Sequence, residues 1–416
     1  SDFILPIRRL LEEKKISMAV IDKRVSEVLR VKFRLGLFDQ PYVADTKAAD
    51  RVGGADRNMD FVKQMQQQAL VLLKNENNIL PLDKRQIKKV LVTGPLADED
   101  NFMTSRYGPN GLETVTVLAG LRNYLKGIAE VDYAKGCDIV DAGWPATEIL
   151  PAPMSEQEKQ GIAEAVAKAG ESDVIIAVLG EDEYRTGESR SRTSLDLPGR
   201  QQQLLEALHA TGKPVILVLI NGQPLTVNWA NAYIPAILES WFPGCQGGTV
   251  IAETLFGEHN PGGKPGSHGA QPHSGPNGSG ATRVIGELYP FGFGLSYTTF
   301  AYSDLEVSPL QQHTQGEYTI KVNVTNTGKR AGDEVVQLYV RDKVSSVITY
   351  DSQLRGFERV SLQPGETRQV TFSLKPEDLQ ILDRNMNWTV EPGEFEVMIG
   401  ASSQDIRLKK TITALP

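Results

Sequence analysis

The residues best suited to chemistry in this chain crowd into one stretch, GEDEYRTGESRSRTSLDLPG at residues 180–199. Its residues 181–192 hold four carboxylates and three arginines, namely Glu181, Asp182, Glu183, Glu188, Arg185, Arg190 and Arg192. The stretch follows a continuous apolar run at residues 173–179, which predicts a buried strand. Open α/β sheets bind ligands at the carboxyl ends of their strands, so we expect a reaction to take place here.

A charged loop can also be a solvated connection without a chemical role. The length of this one argues against that interpretation, because most strand-to-helix connections run about 2 to 6 residues. Glycoside hydrolysis needs one carboxyl to protonate the leaving oxygen and another to attack or to activate water. A loop that offers glutamates together with arginine and Tyr184 suits that chemistry.

The composition limits the partners of the protein. A chain of 416 residues, 40% hydrophobic and 23% charged, predicts two or three globular domains. The net charge of -8 and the pI near 5.4 argue against both a nucleic-acid surface and a membrane-binding face, which need clustered Lys and Arg. No apolar run reaches the roughly 18 residues of a membrane span, and the amino terminus has no signal-peptide pattern. Neutral small substrates fit this composition best.

The sequence predicts neither a metal site nor a cofactor. Cys137 and Cys245 lie far apart without metal-ligand spacing, so we expect two buried core thiols. The five histidines do not pair at helical metal spacing, and His268 and His273 fall in a stretch rich in Gly and Pro. The run GPLADED at residues 94–100 lacks GxGxxG and places three acids where a pyrophosphate would bind. No P-loop and no GxSxG motif occur.

The elements that position the loop alternate between helix and strand over residues 57–264. Strands are predicted at residues 89–93, 131–133, 173–179, 214–220 and 234–240, and helices at 61–73, 117–125, 155–169, 199–211 and from 247. Ser155 with Glu158 forms a capping box at the start of the third helix. Continuous apolar strands separated by helices predict a three-layer α/β sandwich with a mostly parallel sheet.

Both ends of the chain differ from this central part. Residues 1–45 hold helical patterns without a partner to bury them, with Ser17 as an N-cap and Gly36 after the helix. Residues 262–280 are rich in Gly, Pro, Ser and His and predict a linker. After it, alternating strands at 318–324, 334–340, 368–374 and 393–399 predict a β-sandwich. The fold class is therefore multidomain, α/β followed by all-β.

Six motifs together resemble glycoside hydrolase family three, and above all its bacterial periplasmic β-glucosidases. In chain order they are KNENNILPL (74–82), the 180–199 loop, NGQPL (221–225), FPGCQGG (242–248), LFGEHNPGG (255–263) and YPFGFGLSY (289–297). The resemblance covers essentially the whole chain. It implies a helical remnant of an upstream (β/α)8 barrel with a linker (1–56), an α/β sandwich domain carrying the acid/base loop (57–264), a linker (265–298) and a fibronectin type III-like β-sandwich (299–416).

The resemblance also implies a mechanism, a retaining double displacement with two carboxyl groups about 5 to 5.5 Å apart. The family's acid/base glutamate matches Glu188, with Glu183 as second choice. Tyr184 and Arg190 are implied substrate contacts, although loop-internal ion pairs and packing explain them, and Arg192, as well. The family's nucleophilic aspartate lies on the barrel domain, which is not among these residues. We therefore expect this chain alone to be inactive or nearly so.

The implied substrate is a β-linked gluco-oligosaccharide or an aryl β-glucoside, cleaved by an exo-acting β-glucosidase or β-xylosidase that is periplasmic or secreted. The missing barrel domain is the implied partner, and the surface where it would dock predicts that this chain forms a homo-oligomer. A non-catalytic carbohydrate-binding or interaction fragment is the alternative. The chain departs from the family where Lys264 runs directly into Pro265, and where Gln223 replaces the Arg of many relatives.

Overall fold

A computed structural model of the protein describes residues 3–108, 113–264 and 288–416. The chain divides into two compact units, Ser1–Phe61 and Val62–Pro416. Most of the predicted linker, with His268 and His273, lies outside the described residues.

Helices make up the regular structure of the first unit. They are α1 (Ile4–Glu12), α2 (Met18–Arg34), α3 (Ala48–Gly53) and the first part of α4 (Asp56–Ala69), which continues into the second unit. As predicted, Ser17 directly precedes α2, although its side chain makes no capping hydrogen bond, and Gly36 follows α2 in the left-handed conformation. No residue of α1, α2 or α3 is buried, and Phe33 and Val28 of α2 remain 64% and 58% exposed.

The second unit begins with an α/β sandwich. Its strands are β1 (Val71–Asn75), β2 (Lys89–Thr93), β3 (Glu130–Ala134), β4 (Val174–Gly180), β5 (Val215–Ile220) and β6 (Ala236–Glu239). Its helices are α5 (Val117–Tyr124), α6 (Ala146–Ile149), α7 (Glu156–Gly170), α8 (Gln201–His209), α9 (Asn228–Tyr233) and α10 (Gly247–Leu255), with short 3-10 turns at Glu76–Asn78 and Asn101–Met103. Across the described residues, no helix has both the length and the apolar character to cross a membrane.

The strands form one sheet in the order β1-β6-β5-β4-β2-β3, with every neighbouring pair parallel except β1 with β6. Successive residues of β4 serve opposite faces. Ile176 and Val178 join one apolar cluster, whereas Ile175 and Ala177 join the other. Because both faces of the sheet are covered, the predicted three-layer α/β sandwich is confirmed. The capping box of Ser155 and Glu158 is also present, at the start of α7.

One predicted element is wrong. The helix expected over residues 61–73 ends at Ala69, and the apolar residues after it form the edge strand β1. Val71 pairs with Glu239 of β6, and the amide of Leu295 donates to the carbonyl of Leu72 at 2.8 Å. A short apolar run has no periodicity that separates a helix end from a buried strand, so tertiary pairing decides it.

A β-sandwich completes the second unit, as predicted. Its strands are β7 (Phe300–Ser308), β8 (Gln311–His313), β9 (Tyr318–Asn326), β10 (Gly332–Asp342), β11 (Gln353–Leu362), β12 (Thr367–Leu374), β13 (Ile381–Leu382), β14 (Trp388–Thr389), β15 (Gly393–Gly400) and β16 (Ile406–Leu415), with one short helix, α11 (Pro376–Leu379). One sheet has the order β11-β10-β15-β16-β8 and the other β12-β9-β7, while β13 pairs with β14. Alternate residues of β9 are buried in the core between the sheets.

The residues before the sandwich pack against the α/β part. Tyr289 is 4% exposed and its hydroxyl donates to Asn231 Oδ1 at 2.8 Å. The hydroxyl of Tyr297 donates to the carbonyl of Thr254 at 2.8 Å. The described end of the predicted linker is thus tied to the α/β core, while the domain boundaries given above stay predictions.

Both cysteines are buried, as expected of core thiols. Burial raises the pKa of the Cys137 thiol to about 12. This side chain therefore stays in the unreactive thiol form at neutral pH.

A buried histidine makes the stability of the second unit depend on pH. The Nε2 of His259 donates to the carbonyl of Gln67 at 2.9 Å, and burial lowers the pKa of His259. The unfolded chain takes up the proton near the ordinary value of about 6.5. The contribution of His259 is therefore present above that pH and is lost as the pH falls through the lowered pKa.

We expect the free energy of unfolding to decline between pH 7 and pH 5. His259→Gln should remove part of that decline, because the amide can still donate to the carbonyl of Gln67 but does not titrate. Urea unfolding of both chains at several pH values measures the decline. An unchanged pH profile in His259→Gln would contradict the assignment.

Candidate active site

The acidic loop, residues 181–200, is fixed at both ends by contacts between Gly180 and Gln201. Gly180, at the end of β4, has φ of +140°, and a Cβ there would lie 1.9 Å from the carbonyl oxygen of Ile220. The fully buried side chain of Gln201, at the start of α8, accepts from the Gly180 amide at 2.7 Å. It also donates to the carbonyls of Gly180 at 2.9 Å and Ile139 at 3.1 Å. The loop of residues 181–200 therefore begins and ends beside the carboxyl end of β4.

The first acid of the loop is structural. Glu181 is fully buried and pairs with Arg192, whose side chain is 4% exposed. Glu148 approaches the same guanidinium at 3.3 Å, and Gln223 donates to Glu181 at 2.9 Å. Burial lowers the pKa of Arg192. Arg192 therefore forms an ion pair within the loop. Gln223, which lies outside the loop, contacts the same acid.

The second acid organises a turn. Asp182 is 3% exposed, accepts from the amide of Tyr184 at 3.1 Å and pairs with Arg185. Its carbonyl accepts from the hydroxyl of Thr186 at 3.3 Å. Arg185 lies over the ring of Trp144, 5.4 Å from the centroid. Both buried acids therefore hold the loop in shape.

Glu188 lies at the exposed tip of the loop, and its backbone is held from a neighbouring loop. Its amide donates to Tyr107 Oη at 2.7 Å, and its carbonyl accepts from Arg106 Nη1 at 3.3 Å. Gly187 has φ of +115°, and a Cβ there would lie 2.9 Å from Arg106 Cδ, so glycine permits this close approach. Within the described part of the chain, the Glu188 carboxylate has no hydrogen bond and no ion pair.

The other predicted site residues lie on the same loop. Glu183 is half-buried, whereas Tyr184 and Arg190 are exposed. The amide of Arg190 donates to the carbonyl of Gly187 at 3.2 Å. Among the described residues, no hydrogen bond or ion pair joins the side chains of Glu183 or Arg190 to Glu188.

The contact between the loop after β2 and the loop after β4 lies where the order of the strands in the sheet reverses. From β2 the chain goes to β3 on one side, and then returns to β4 on the other side of β2. In such sheets the loops after the two central strands diverge and leave a ligand-binding crevice. Tyr107 follows β2 and Glu188 follows β4, so their contact joins the loops after the two strands at which the strand order reverses. Sequence reasoning missed Arg106 and Tyr107, because it tested the loop after β2 only for a nucleotide motif.

No group of three His, Cys, Asp or Glu side chains in the described ranges could hold a metal ion.

Comparison with known families agrees with this architecture. Residues 70–297 match the glycosyl hydrolase family 3 C-terminal domain, and residues 334–403 match the fibronectin type III-like domain. The chain belongs to glycoside hydrolase family 3. The resemblance read from the six motifs is therefore confirmed, as is the order of an α/β sandwich followed by a fibronectin type III-like β-sandwich.

Members of family 3 from several bacteria are similar over almost the whole chain. A β-xylosidase of Formosa agariphila is 40% identical over 413 residues, which cover 94% of this chain and 55% of the relative. A periplasmic β-glucosidase of Salmonella typhimurium is 37% identical, covering 96% of this chain and 56% of the relative. The structure of a β-glucosidase of Erythrobacter marinus superposes with a TM-score of 0.82 at 36% identity, covering 98% of this chain and 57% of that one. This chain corresponds to the carboxyl-terminal portion of such family 3 proteins and spans about half their length.

Proposed function

We propose that this chain supplies the acid/base half of a retaining exo-β-glycosidase, with Glu188 as the proton donor. One observation carries the proposal. Of the four acids at residues 181–192, only Glu188 combines a carboxylate without a partner in the described part of the chain with a backbone held by Tyr107 and Arg106. Glu181 and Asp182 are already paired, and Glu183 lacks the two backbone contacts.

In the proposed reaction, the Glu188 carboxyl donates its proton to the glycosidic oxygen as the aglycone leaves. An aspartate of the barrel domain attacks the anomeric carbon and forms a covalent glycosyl-enzyme. Glu188, now a carboxylate, takes a proton from the water that attacks the same carbon, and the sugar leaves with its configuration retained. An unpaired carboxylate suits both steps. Glu183, Tyr184 and Arg190 are proposed substrate contacts.

The proposed substrate is a neutral β-glucoside or β-xyloside. The names of the relatives support both sugars, since one is a β-xylosidase and another a β-glucosidase. The acidic net charge of the chain fits a neutral substrate better than an anionic one. A periplasmic or secreted location is proposed from the periplasmic relative.

The proposed partner is the barrel domain that carries the nucleophile. The first unit presents apolar side chains that are largely exposed, including Phe3 at 79%, Leu35 at 66% and Phe33 at 64%. Exposed apolar surface of this kind favours association. We therefore expect the purified 416-residue chain to form oligomers in gel filtration, and a barrel domain that covers these helices to suppress them. A monomer at every concentration would contradict the idea.

The 416-residue chain alone is expected to show no hydrolysis of an aryl β-glucoside or β-xyloside, because a proton donor without a nucleophile cannot form the glycosyl-enzyme. Joining it to the barrel domain of a family 3 relative is expected to restore turnover. Initial rates with and without the barrel test this. Hydrolysis by the chain alone, abolished by Glu188→Gln, would contradict the division of the site. Sugar binding without any gain of activity on adding the barrel would favour the non-catalytic alternative.

A further inference from the structure

The second half of the acidic loop borders a cleft that the proposed reaction does not use. The cleft has a volume of about 400 Å³, within the range of small-molecule sites. Its walls come from α6, residues 194–200, the first turns of α8 and the start of α9. None of Glu183, Tyr184, Glu188 or Arg190 lines it.

Both arginines of the cleft are already paired with acids. Arg192 contacts Glu148 at 3.3 Å and donates to the carbonyl of Asp196 at 2.5 Å. Arg200 contacts Glu158 at 3.1 Å and donates to the carbonyl of Ala152 at 3.0 Å. Acids outnumber arginines in the lining, which includes Asp141, Glu148, Asp196 and Glu206 against Arg192 and Arg200. An anionic ligand would meet no unpaired cation here.

Three buried oxygen atoms of the lining have no hydrogen-bond partner among the described residues: Thr226 Oγ1, Gln203 Oε1 and Asn228 Oδ1. Thr226 is 8% exposed as a whole residue. Buried polar atoms are nearly always paired, so three unpaired ones in the lining of a single cleft indicate that donors come from elsewhere. Because amide oxygens only accept, a ligand that meets Gln203 and Asn228 must donate, as a hydroxyl group does.

Two tryptophans line the same cleft. The ring of Trp144 is held by Arg185 and Arg192, at 5.4 and 5.7 Å from its centroid. The ring of Trp229 packs on Tyr233, with centroids 4.9 Å apart. Fixed aromatic rings with a few convergent polar atoms are the usual lining of a site for a small neutral ligand.

We infer that this cleft is a second carbohydrate site, which binds a neutral saccharide of one or two rings. The sugar hydroxyls donate to Thr226, Gln203 and Asn228, and the apolar face of a ring packs on the tryptophans. The site belongs to the α/β part alone and needs neither Glu188 nor a barrel domain.

Isothermal titration of the 416-residue chain with D-glucose, D-xylose and cellobiose tests the inference. We expect millimolar binding of at least one of them and no binding of D-glucuronate. Thr226→Val and Asn228→Leu should each weaken binding about tenfold, the loss of one hydrogen bond. Thr226→Val removes only a hydroxyl that has no partner among the described residues, so we expect this variant to fold even if Asn228→Leu does not. Thermal melting of both variants verifies that they are folded.

Glu188→Gln is the matched control and should leave the affinity unchanged. Absence of binding for all three neutral sugars would overturn the inference, as would equal affinities in the parent chain and in Thr226→Val. Loss of binding in Glu188→Gln but not in the cleft variants would place the sugar at the loop tip and would overturn it too. The proposed reaction is tested separately, by hydrolysis with the enzyme that contains the barrel domain. Absence of sugar binding in the cleft would therefore not contradict the proposed reaction.

Discussion

Replacing Glu188 by Gln in an enzyme that includes the barrel domain is expected to lower kcat by about 10²- to 10⁴-fold on an alkyl β-glucoside. The amide keeps the shape of the side chain and its contacts through Tyr107 and Arg106, which involve only the backbone of residue 188. What is lost is the proton for the leaving oxygen. The loss should be largest for poor leaving groups, since an alkoxide needs that proton and a nitrophenolate does not. Steady-state rates on a series of leaving groups measure it.

Glu183→Gln is the control for this experiment, because Glu183 lies on the same loop, five residues earlier, and lacks the contacts with Tyr107 and Arg106. It should change kcat much less, and its loss should not depend on the leaving group. If instead Glu183→Gln shows the steep dependence on leaving group and Glu188→Gln does not, the roles of the two glutamates are reversed.

The sequence predicts the scaffold well because its signals are local. Continuous apolar runs identify β4 and β5, the Ser155–Glu158 spacing identifies the start of α7, and alternation identifies β9 and β12. Strand β1 is wrongly predicted as the end of a helix, since its pairing with β6 joins residues far apart in the chain. Local patterns carry no information about such a contact.

The candidate site is less predictable, for a related reason. Composition alone cannot rank the four acids at residues 181–192, since each is a carboxylate in a stretch that also holds three arginines. The family motif singles out Glu188, and the structure separates the acids by burial, which removes Glu181 and Asp182 from solvent and leaves Glu188 exposed. Tyr107 could not be found from the sequence, because it reaches Glu188 from a different loop, 81 positions earlier. Tyr107 and Glu188 meet because their loops follow β2 and β4, which are neighbours in the sheet.

Arg192→Met is expected to destabilise the second unit by about 3–5 kcal/mol, the largest stability effect that we anticipate in the loop. Glu181 and Glu148 would stay buried at 0% and 6% side-chain exposure without their shared cation. One oxygen of Glu181 already has no partner among the described residues, so Gln223 alone cannot compensate. Urea unfolding of the parent chain and of Arg192→Met at neutral pH measures the loss.

Arg190→Met is the matched control, since Arg190 is exposed and lies two residues away on the same loop. Exposed substitutions usually change stability by less than about 0.5 kcal/mol. Adding Glu181→Leu to Arg192→Met should recover part of the loss, because a buried ion pair can often be replaced by apolar side chains at little cost. Equal losses for the two arginine variants would show that the buried cluster does not anchor the loop. The position of Glu188 would then depend on Tyr107 and Arg106 alone.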